Sequence, residues 1–353
     1  MIDLGRLWGR RNNAAAGPDA FGYAVVGLGR IAEHFLRGIQ DSPFVRATAL
    51  VSGDSGKAAK LAKQYGVPFT CGYADFESLR EREDVQAVYL ALPVSMHREF
   101  TERAARIGKH VFVEKPMASD AAECRAMVDV CRSAGVLLSV AYRCPFDPMH
   151  QRLQSLIAEG ALGHVESIES SFGFKLAADD WRWNNDLAGG GSAYDVGVYP
   201  LNAARFLMRA EPEITSAAAT VSPAGMESSI AWTMRFPNGA EARCSSSYLQ
   251  ELPNVLRVRG SAGELTLDPA YTHRVRLPLR GWITDPVSGK RVEINDIAPS
   301  STPSHFRLEA EHLAECARVG EPVITSGEDG LQDMELIEQM YATAGVSRQA
   351  VPR

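Results

Sequence analysis

The chain has 353 residues, of which 45% are hydrophobic and 23% are charged, with 37 Lys and Arg against 43 Asp and Glu. The net charge of −6 argues against a nucleic-acid-binding protein, because such proteins carry a basic surface that neutralises phosphates. No stretch approaches the ~18 consecutive apolar residues that a membrane span needs. We therefore expect a soluble globular protein of two domains, with neither nucleic-acid nor membrane partners.

The cysteines and the first 20 residues indicate the cellular compartment. The six cysteines include no C-x-x-C pair, which argues against a disulfide framework and against a zinc site of ordinary spacing. Arg10-Arg11 is reminiscent of a twin-arginine export signal, but no apolar segment of signal length follows it. We expect reduced thiols, no bound metal, a flexible N-terminal arm over 1–20 and a cytoplasmic location.

Strands and helices alternate between residues 21 and 142, which predicts an α/β Rossmann domain with a doubly wound parallel sheet. The predicted strands are apolar runs at 23–27, 46–51, 85–92, 110–113 and 137–141. The predicted helices between them are 33–40, 55–65, 96–107 and 120–134. Ligands of such sheets bind at the carboxyl ends of the strands, so the loops there are where we expect the chemistry.

The first strand runs into the dinucleotide-binding pattern GxGxxA, which starts at Gly27 and ends at Ala32. Gly27 permits the tight turn, Gly29 lets a pyrophosphate approach the backbone, and Ala32 keeps the strand and the helix close. The helix that follows directs its N-terminus at the anion. The predicted cofactor contacts in this turn are Gly27, Leu28, Gly29, Arg30 and Ile31.

The end of the second strand predicts NADP rather than NAD. An NAD site places Asp or Glu at this point to bind the ribose hydroxyls. Here the strand ends in Ser52-Gly53, and Lys57 follows one helical turn later, so a 2′-phosphate would meet a hydroxyl, open backbone and an ammonium group. The alternatives are that Asp54 points into the pocket and that Lys57 is an ordinary solvated residue.

Two later motifs carry candidate catalytic groups. Glu114-Lys115-Pro116 follows the fourth predicted strand and places a cation over the crevice of the sheet. Residues 188–200 read AGGGSAYDVGVYP, in which the glycines allow a close backbone approach. Asp195 and Tyr199 are four residues apart, so both project from one face of a helix.

The second half alternates between apolar and polar residues, which predicts an α+β domain with a large, mainly antiparallel open sheet. The predicted strands are 164–174, 213–221, 229–236, 240–248, 254–260 and 263–267, with tight turns at 237–240 and 260–263. The predicted helices are 149–159, 198–207, 304–318 and 330–346. We therefore divide the chain into a dinucleotide-binding domain at 21–142 and a substrate-binding and oligomerisation domain at 143–353.

Together these motifs resemble those of the Gfo/Idh/MocA oxidoreductases, which share the GxGxx(G/A) turn, the Glu-Lys-Pro triplet and an Asp-x-Gly-x-His/Tyr motif after glycines. Tyr199 in place of His, with Tyr142-Arg143-Cys144 and Trp181-Arg182, is most similar to the glucose–fructose oxidoreductase branch and its aldose–aldose oxidoreductases. The resemblance implies that tightly bound NADP oxidises an aldose such as glucose to an aldonolactone, and that the NADPH reduces a second sugar to an alditol. It also implies a homodimer or a higher homo-oligomer formed through the open sheet face.

The chemistry that the resemblance implies assigns roles to three side chains. Oxidation of a sugar at C1 sends a hydride to the nicotinamide and requires a base beside the hydroxyl oxygen. Tyr199 is the candidate acid/base; a free phenol is a poor base near neutral pH, and a nearby Lys115 favours the phenolate. We expect Asp195 to hold Lys115 or a sugar hydroxyl. The alternative for Tyr199 is a core tyrosine.

Further cofactor contacts are predicted, and each of these residues also has a possible role that is purely structural. Arg143 and Arg182 are donors to a phosphate, a carboxamide or a sugar oxygen, or else they form surface salt bridges. Trp181 stacks on nicotinamide or sugar, or lies in the core, and His97 approaches the ribose or caps a helix. The predicted cofactor contacts outside the fingerprint turn are Ser52, Gly53, Lys57, Tyr73, Leu92, Pro93, His97, Glu114, Lys115, Arg143, Trp181 and Arg182.

Other functions remain open on the sequence. They are a sugar or cyclitol dehydrogenase that exchanges NAD(P), an NAD-dependent glycosidase and a non-catalytic dinucleotide-binding regulator. Tyr199 disfavours the glycosidase, because the relatives that act in this way carry the His form of the motif. The complete set of Lys115, Asp195 and Tyr199 disfavours the regulator, which needs no acid/base group.

Overall fold

The computed structural model describes residues 17, 19–184, 189–223, 225–285 and 287–346. The predicted arm over 1–20 lies outside these ranges except for residues 17, 19 and 20, and Ala188 of the glycine motif lies outside them too. Among the described residues, no helix has both the length and the apolar character needed to cross a membrane.

The first half of the chain forms a parallel sheet of six strands. The strands are β1 (Phe21–Val26), β2 (Val45–Val51), β3 (Phe69–Cys71), β4 (Ala87–Leu90), β5 (His110–Val113) and β6 (Leu138–Val140). Their order is β3-β2-β1-β4-β5-β6, the Rossmann order, in which a crevice opens where the order reverses, at the carboxyl ends of β1 and β4. The predicted fold class of this half is therefore confirmed.

Helices cover both faces of this sheet, which is why most of its strands are continuous apolar runs. The helices are α1 (Arg30–Ile39), α2 (Ser55–Tyr65), α3 (His97–Arg106) and α4 (Ala121–Ala134). Asp54 caps the N-terminus of α2 and Asp120 caps that of α4, each by accepting from a backbone N–H three residues later. The sequence predicted five strands, and the one it missed is β3, a three-residue, partly exposed strand at the edge of the sheet.

The second half forms a sheet of eight strands. The strands are β7 (Val165–Gly173), β8 (Glu213–Val221), β9 (Glu227–Arg235), β10 (Glu241–Ser247), β11 (Leu252–Gly260), β12 (Gly263–Leu267), β13 (Pro278–Thr284) and β14 (Arg291–Ile297). Their order is β14-β13-β12-β11-β7-β10-β9-β8, and the only parallel pair among these described strands is β7 with β10. The predicted, mainly antiparallel sheet is confirmed.

Two features of this sheet were not predicted. The β7–β10 pair is parallel because the chain leaves β7 through a long crossover that contains helices, rather than through a tight turn. The strands β13 and β14 were not predicted: β14 is the largely exposed edge strand, and β13, which pairs with it, is mostly half-buried, so neither presents a clear alternation of buried apolar and exposed polar residues.

The remaining helices tie the two halves together. They are α5 (Pro148–Ala158), α6 (Val198–Met208), α7 (His305–Val319) and α8 (Gly327–Thr343). Helix α6 packs on β7 and β10 of the second sheet, whereas α7 packs on α1 and β5, and α8 packs on α4. The C-terminal helices therefore hold the first sheet against the second, and one apolar core contains residues of both.

Candidate active site

The fingerprint turn joins β1 to α1 and leaves the start of the helix open. Gly27 has a φ of +81°, and a Cβ at this position would lie 2.6 Å from the carbonyl oxygen of Ala91. Gly29 is the N-cap of α1 and provides no side-chain cap, and a Cβ on it would meet no described atom within 4 Å. A pyrophosphate fits this opening, because the first N–H groups of a helix lack partners within it. The rest of the predicted turn consists of the buried Leu28, the exposed Arg30 and the half-buried Ile31.

The end of β2 carries the residues predicted to select the cofactor. Buried Ser52 accepts a hydrogen bond from the backbone N–H of Asp54 at 3.1 Å. The carboxylate of Asp54 accepts from the backbone N–H of Lys57 at 2.9 Å, so it serves as a helix cap. A Cβ on Gly53 would lie 3.3 Å from the ring of Tyr73, and Lys57 is exposed. The pocket edge therefore offers a hydroxyl, open backbone and a phenol ring beside a solvated ammonium group.

The side chain of His97 is enclosed by main-chain groups of two loops. Its side chain is 1% exposed, and its Nε2 lies 3.0 Å from the carbonyl oxygen of Leu92. Its Nδ1 lies 3.2 Å and 3.1 Å from the carbonyl oxygens of Pro116 and Met117. Both ring nitrogens are thus directed at main-chain carbonyls, so His97 joins the loop after β4 to the loop after β5. The ring therefore positions these two loops, while its predicted contact with the cofactor stays a prediction; Pro93, at the start of the same segment, is exposed.

Lys115 and Asp195 form an ion pair across the two halves of the chain. The Nζ of Lys115 donates to Oδ1 of Asp195 at 2.8 Å and to the main-chain oxygen of Asp195 at 2.7 Å. The second carboxylate oxygen of Asp195 accepts from Nε of Arg182 at 2.9 Å. Burial favours the neutral forms of this pair, but the opposite charges outweigh it, so the pKa of Asp195 is lowered and the pKa of Lys115 is raised. Both groups are therefore ionised near neutral pH.

The hydroxyl of Tyr199 lies in the same cluster. It accepts a hydrogen bond from Nη2 of Arg143 at 2.7 Å, and the guanidinium carbon of Arg143 lies 5.1 Å from the centre of the phenol ring. The ammonium of Lys115 lies 5.0 Å from the same centre. Tyr199 is 8% exposed. Two cations thus flank one phenol at the carboxyl end of the parallel sheet.

A π-helical turn at Ala193–Gly197 sets the positions of Asp195 and Tyr199 before α6 begins. A Cβ on Gly191 would lie 1.9 Å from the main-chain oxygen of Glu227, so this position requires glycine. The carboxylate of Glu227 accepts from the backbone N–H of Ala193 at 2.9 Å, from Ser192 Oγ at 2.7 Å and from Tyr341 Oη at 3.0 Å. The sequence predicted that Asp195 and Tyr199 project from one face of a helix. In the structure Asp195 lies in the π-helical turn and Tyr199 lies in α6, and both side chains approach Lys115.

Glu114 faces away from Lys115 although the two are adjacent. Its Oε1 accepts from the hydroxyl of Tyr89 at 2.5 Å, and its Oε2 accepts from the backbone N–H of Lys115 at 3.3 Å. Burial raises the pKa of Glu114, although these donors and the charges of Lys115 and Arg143 lower it. Its carboxyl group therefore joins the Tyr89 hydroxyl to the backbone of the loop that presents Lys115.

Trp181 and Arg182 form one rim of the site. Trp181 is 53% exposed, and the guanidinium carbon of Arg182 lies 5.2 Å from its ring. Arg182 also donates to the carboxylate of Asp180 at 3.1 Å, besides its bond to Asp195. The exposed indole is therefore available to a ligand, while Arg182 is engaged by two carboxylates.

Several residues of the site were not predicted. His273 Nδ1 lies 3.3 Å from Nη1 of Arg143, and burial together with the charge of Arg143 lowers the pKa of His273 to about 4. Neutral His273 therefore accepts from Arg143 and helps to aim it at Tyr199. Glu227 anchors the glycine motif from a strand 34 residues after Ala193. Neither residue lies in a local motif, so only spatial proximity identifies them. Among the described residues, no group of three or more His, Cys, Asp or Glu side chains is arranged to hold a metal ion.

Comparison with known proteins gives the family. Residues 21–142 match the GFO/IDH/MocA family described as "Oxidoreductase family, NAD-binding Rossmann fold", and residues 150–266 match the GFO/IDH/MocA C-terminal domain. The chain is 32% identical to a D-xylose 1-dehydrogenase (NADP(+)) of Haloferax volcanii over 84% of its length and 89% of the relative. The chain belongs to the Gfo/Idh/MocA oxidoreductase family.

Solved structures agree with this assignment. The chain superimposes on an aldose-aldose oxidoreductase from Caulobacter crescentus, solved with glycerol, with a TM-score of 0.86 and 36% identity over 93% of this chain and 98% of that one. It also resembles a 3-ketoreductase from Actinomadura kijaniata, solved with NADP and TDP-benzene, with a TM-score of 0.79 and 25% identity over 92% and 98% of the chains. The family predicted from the motifs is confirmed, and with it an oxidoreductase with a dinucleotide-binding Rossmann domain.

Proposed function

We propose that this protein is an NADP-dependent sugar oxidoreductase that oxidises an aldose at C1 to an aldonolactone. The observation that carries the proposal is the cluster at the crevice, in which Arg143 binds the Tyr199 hydroxyl at 2.7 Å beside the Lys115–Asp195 ion pair. The same crevice contains the open N-terminus of α1. The 36% identity with an aldose-aldose oxidoreductase and the 32% identity with a xylose dehydrogenase support a sugar as the substrate.

The residues at the strand ends suit NADP. Gly27, Gly29 and the first turn of α1 would hold the pyrophosphate. Ser52, Gly53, Tyr73 and Lys57 would surround the adenosine 2′-phosphate, because Asp54 turns a carboxylate oxygen towards the backbone of α2 as a helix cap. The chemistry that bound NADP would supply is hydride transfer to and from a substrate carbon. Leu92, Pro93 and Trp181 would line the nicotinamide side.

The proton follows a separate path on protein groups. Tyr199 would take the proton of the C1 hydroxyl as the hydride leaves that carbon, because its oxygen is the acid/base group at the open edge of the cluster. Arg143 donates to the Tyr199 oxygen, and the ammonium of Lys115 lies 5.0 Å from the centre of its ring, so two cations face the group that would exchange the proton. Asp195 holds Lys115 in place from two acceptor atoms, and Arg182 holds Asp195.

We propose further that NADP stays tightly bound and that a second sugar is reduced to an alditol in the same site. In that second step, Tyr199 returns its proton to the carbonyl oxygen of the acceptor sugar while the hydride enters its carbon, so the two half-reactions balance. The similarity to an aldose-aldose oxidoreductase favours this cycle. The xylose dehydrogenase relative favours the second candidate, an enzyme that releases NADPH after each oxidation.

The absorbance spectrum of the freshly purified protein tests the proposal. With no nucleotide supplied, excess glucose should produce the near-ultraviolet band of reduced nicotinamide, and a second sugar should then remove it. A band that forms only after NADP is added would establish the exchanging dehydrogenase instead. No band with a panel of aldoses, with and without added NADP, would overturn the proposed function.

We also propose a homodimer or a higher homo-oligomer formed through the outer face of the eight-stranded sheet. This face presents paired charges rather than an apolar surface, among them Arg257 with Glu169 and Arg259 with Glu264. Such pairs would make a polar, specific contact between copies. Light scattering at micromolar concentration should give at least twice the mass of one chain, and a monomer mass would overturn this proposal.

A further inference from the structure

Two phenylalanines that belong to none of the motifs lie beside the proposed acid/base group. Phe172 is in β7, and Phe174 follows the last residue of that strand. Successive side chains of a strand alternate between its two faces, so residues two apart share one face. The centres of the two rings are 6.1 Å apart, and both side chains are half-buried. We call Phe172 and Phe174 the aromatic wall.

Direct contacts join the aromatic wall to the site. The centre of the Phe172 ring lies 5.8 Å from that of Tyr199, and the two rings are inclined by 68°. The guanidinium carbon of Arg182 lies 5.6 Å from the centre of the Phe174 ring. The same carbon lies 5.2 Å from the ring of the exposed Trp181. The contacts therefore run without a break from Tyr199 along the wall to the rim of the site.

The second sheet holds the aromatic wall in place. Strand β7 lies between β10 and β11, and Phe172 is paired with Ser246 of β10. The backbone N–H of Phe174 donates to the main-chain oxygen of Ser247 at 3.0 Å. The ring of Phe174 also packs on that of Tyr248, which is 1% exposed, with 6.1 Å between their centres. Both rings are thus positioned before a ligand binds, which limits the conformational entropy that binding costs.

This combination of surfaces suits a sugar in its ring form. A pyranose presents C–H groups on the faces of its ring and hydroxyl groups around its rim. The face of an aromatic ring is negative and attracts such C–H groups, while a few polar side chains beside it fix the orientation of the ligand. The polar groups beside the wall are Arg182, Lys115 and Asp195. An open-chain alditol has no ring face to place on the wall and would gain less from it.

We propose that Phe172 and Phe174 bind the pyranose ring of the aldose donor and so select its cyclic form. The inference rests on the proposed function, because it names the form of the sugar that the same site takes. Oxidation of the ring form sends the C1 hydride to NADP and the hydroxyl proton to Tyr199. The C1–O bond becomes a double bond while the ring stays closed, so the product is the lactone.

Calorimetric titration of the full-length protein with NADP bound tests the wall without turnover. The ligands are anhydroglucitol, which has the pyranose ring of glucose but no C1 hydroxyl, and glucitol, which is its open-chain counterpart. The wild type should bind anhydroglucitol about tenfold more tightly than glucitol. Phe174→Leu keeps an apolar side chain but loses the flat face, so the Kd for anhydroglucitol should rise about tenfold and that for glucitol should not change. Phe174→Tyr should restore the wild-type Kd. Equal affinity of the wild type for the two ligands would overturn the inference.

Control variants separate the wall from other effects. Phe69→Leu is the matched control, because Phe69 is half-buried in β3 and its ring centre lies 4.8 Å from the guanidinium carbon of Arg82. It should leave both Kd values unchanged, and Phe172→Leu gives a second test if Phe174→Leu does not fold. A higher Kd for NADP with an unchanged Kd for anhydroglucitol would assign the wall to the nicotinamide and refute the inference. Ring-selective binding without turnover of any aldose would overturn the proposed function alone.

Discussion

The ammonium of Lys115 is bound twice by Asp195, by the carboxylate at 2.8 Å and by the main-chain oxygen at 2.7 Å. The two residues come from different halves of the chain, one from the loop after β5 and the other from the π-helical turn before α6. The pair therefore spans the crevice and sets the distance between the Rossmann sheet and the helix that carries Tyr199. The predictions that follow depend on this arrangement.

Replacement of Tyr199 by Phe should remove the acid/base group and leave the ring packing in place. We expect kcat for aldose oxidation to fall about 10²–10⁴-fold, the usual contribution of a general acid/base, with bound NADP retained. Tyr271→Phe is the matched control, since Tyr271 is a neighbouring buried phenol, 5.8 Å from Tyr199 between ring centres, that bonds to Ser170. Near-normal turnover in Tyr199→Phe would remove Tyr199 from the mechanism.

Asp195→Asn should leave Lys115 partly buried without its counter-charge. We expect a loss of about 2 kcal/mol in the free energy of unfolding, typical of a hydrogen bond to a charged group, together with a large loss of turnover. Because the pKa of Asp195 is lowered in the folded state, the wild-type pair stabilises the protein above the unfolded pKa of about 3.9. That contribution is lost as the pH falls through the lowered pKa that Asp195 has in the folded protein.

Urea unfolding of both proteins from neutral to acid pH measures the effect of Asp195. The difference in unfolding free energy between wild type and Asp195→Asn should shrink as the pH falls. Asp129→Asn is the control, because its pair with Arg132 on α4 is solvent-exposed and should contribute less than about 1 kcal/mol. A pH-independent difference would contradict the assignment of the acid-side dependence to Asp195.

Lys57→Ala tests the choice of cofactor. If the ammonium binds the 2′-phosphate, the Kd for NADP should rise about tenfold, which corresponds to one charge-assisted contact, and the Kd for NAD should stay the same. Fluorescence titration of cofactor-free protein gives both constants. Lys60→Ala is the matched control, as an exposed lysine one turn further along α2. Equal affinity of the wild type for NADP and NAD would refute the pocket at Ser52 and Lys57.

Gly191→Ala should displace the turn that carries Asp195. A Cβ here would lie 1.9 Å from the main-chain oxygen of Glu227, so the loop must move, at a cost of about 1–3 kcal/mol. We expect a lower Tm and a loss of turnover that exceeds the loss of folded protein. Gly72→Ala is the control, because its Cβ would have an ordinary contact of 3.6 Å with Asp75. An unchanged Tm in Gly191→Ala would show that the loop accepts a side chain.

The sequence by itself determined the family, the two sheets and the set of polar groups at the crevice. This was possible because the relevant signals are local. They are an apolar strand followed by the turn at Gly27, a lysine, Lys115, just after a strand, and the spacing of four residues between Asp195 and Tyr199. Such patterns depend on neighbours within one or two turns of the chain. They can therefore be recognised in the sequence without knowledge of the rest of the fold.

The tertiary structure decided which of these groups meet and which are buried. His97 looks like a site residue in sequence, yet packing encloses it among three main-chain carbonyls. Arg143 follows the first sheet, yet it reaches Tyr199 in α6, 56 residues further along the chain. The burial and the charge pairing of residues that are far apart in the sequence depend on how whole helices and strands pack. No local periodicity or motif predicts that packing.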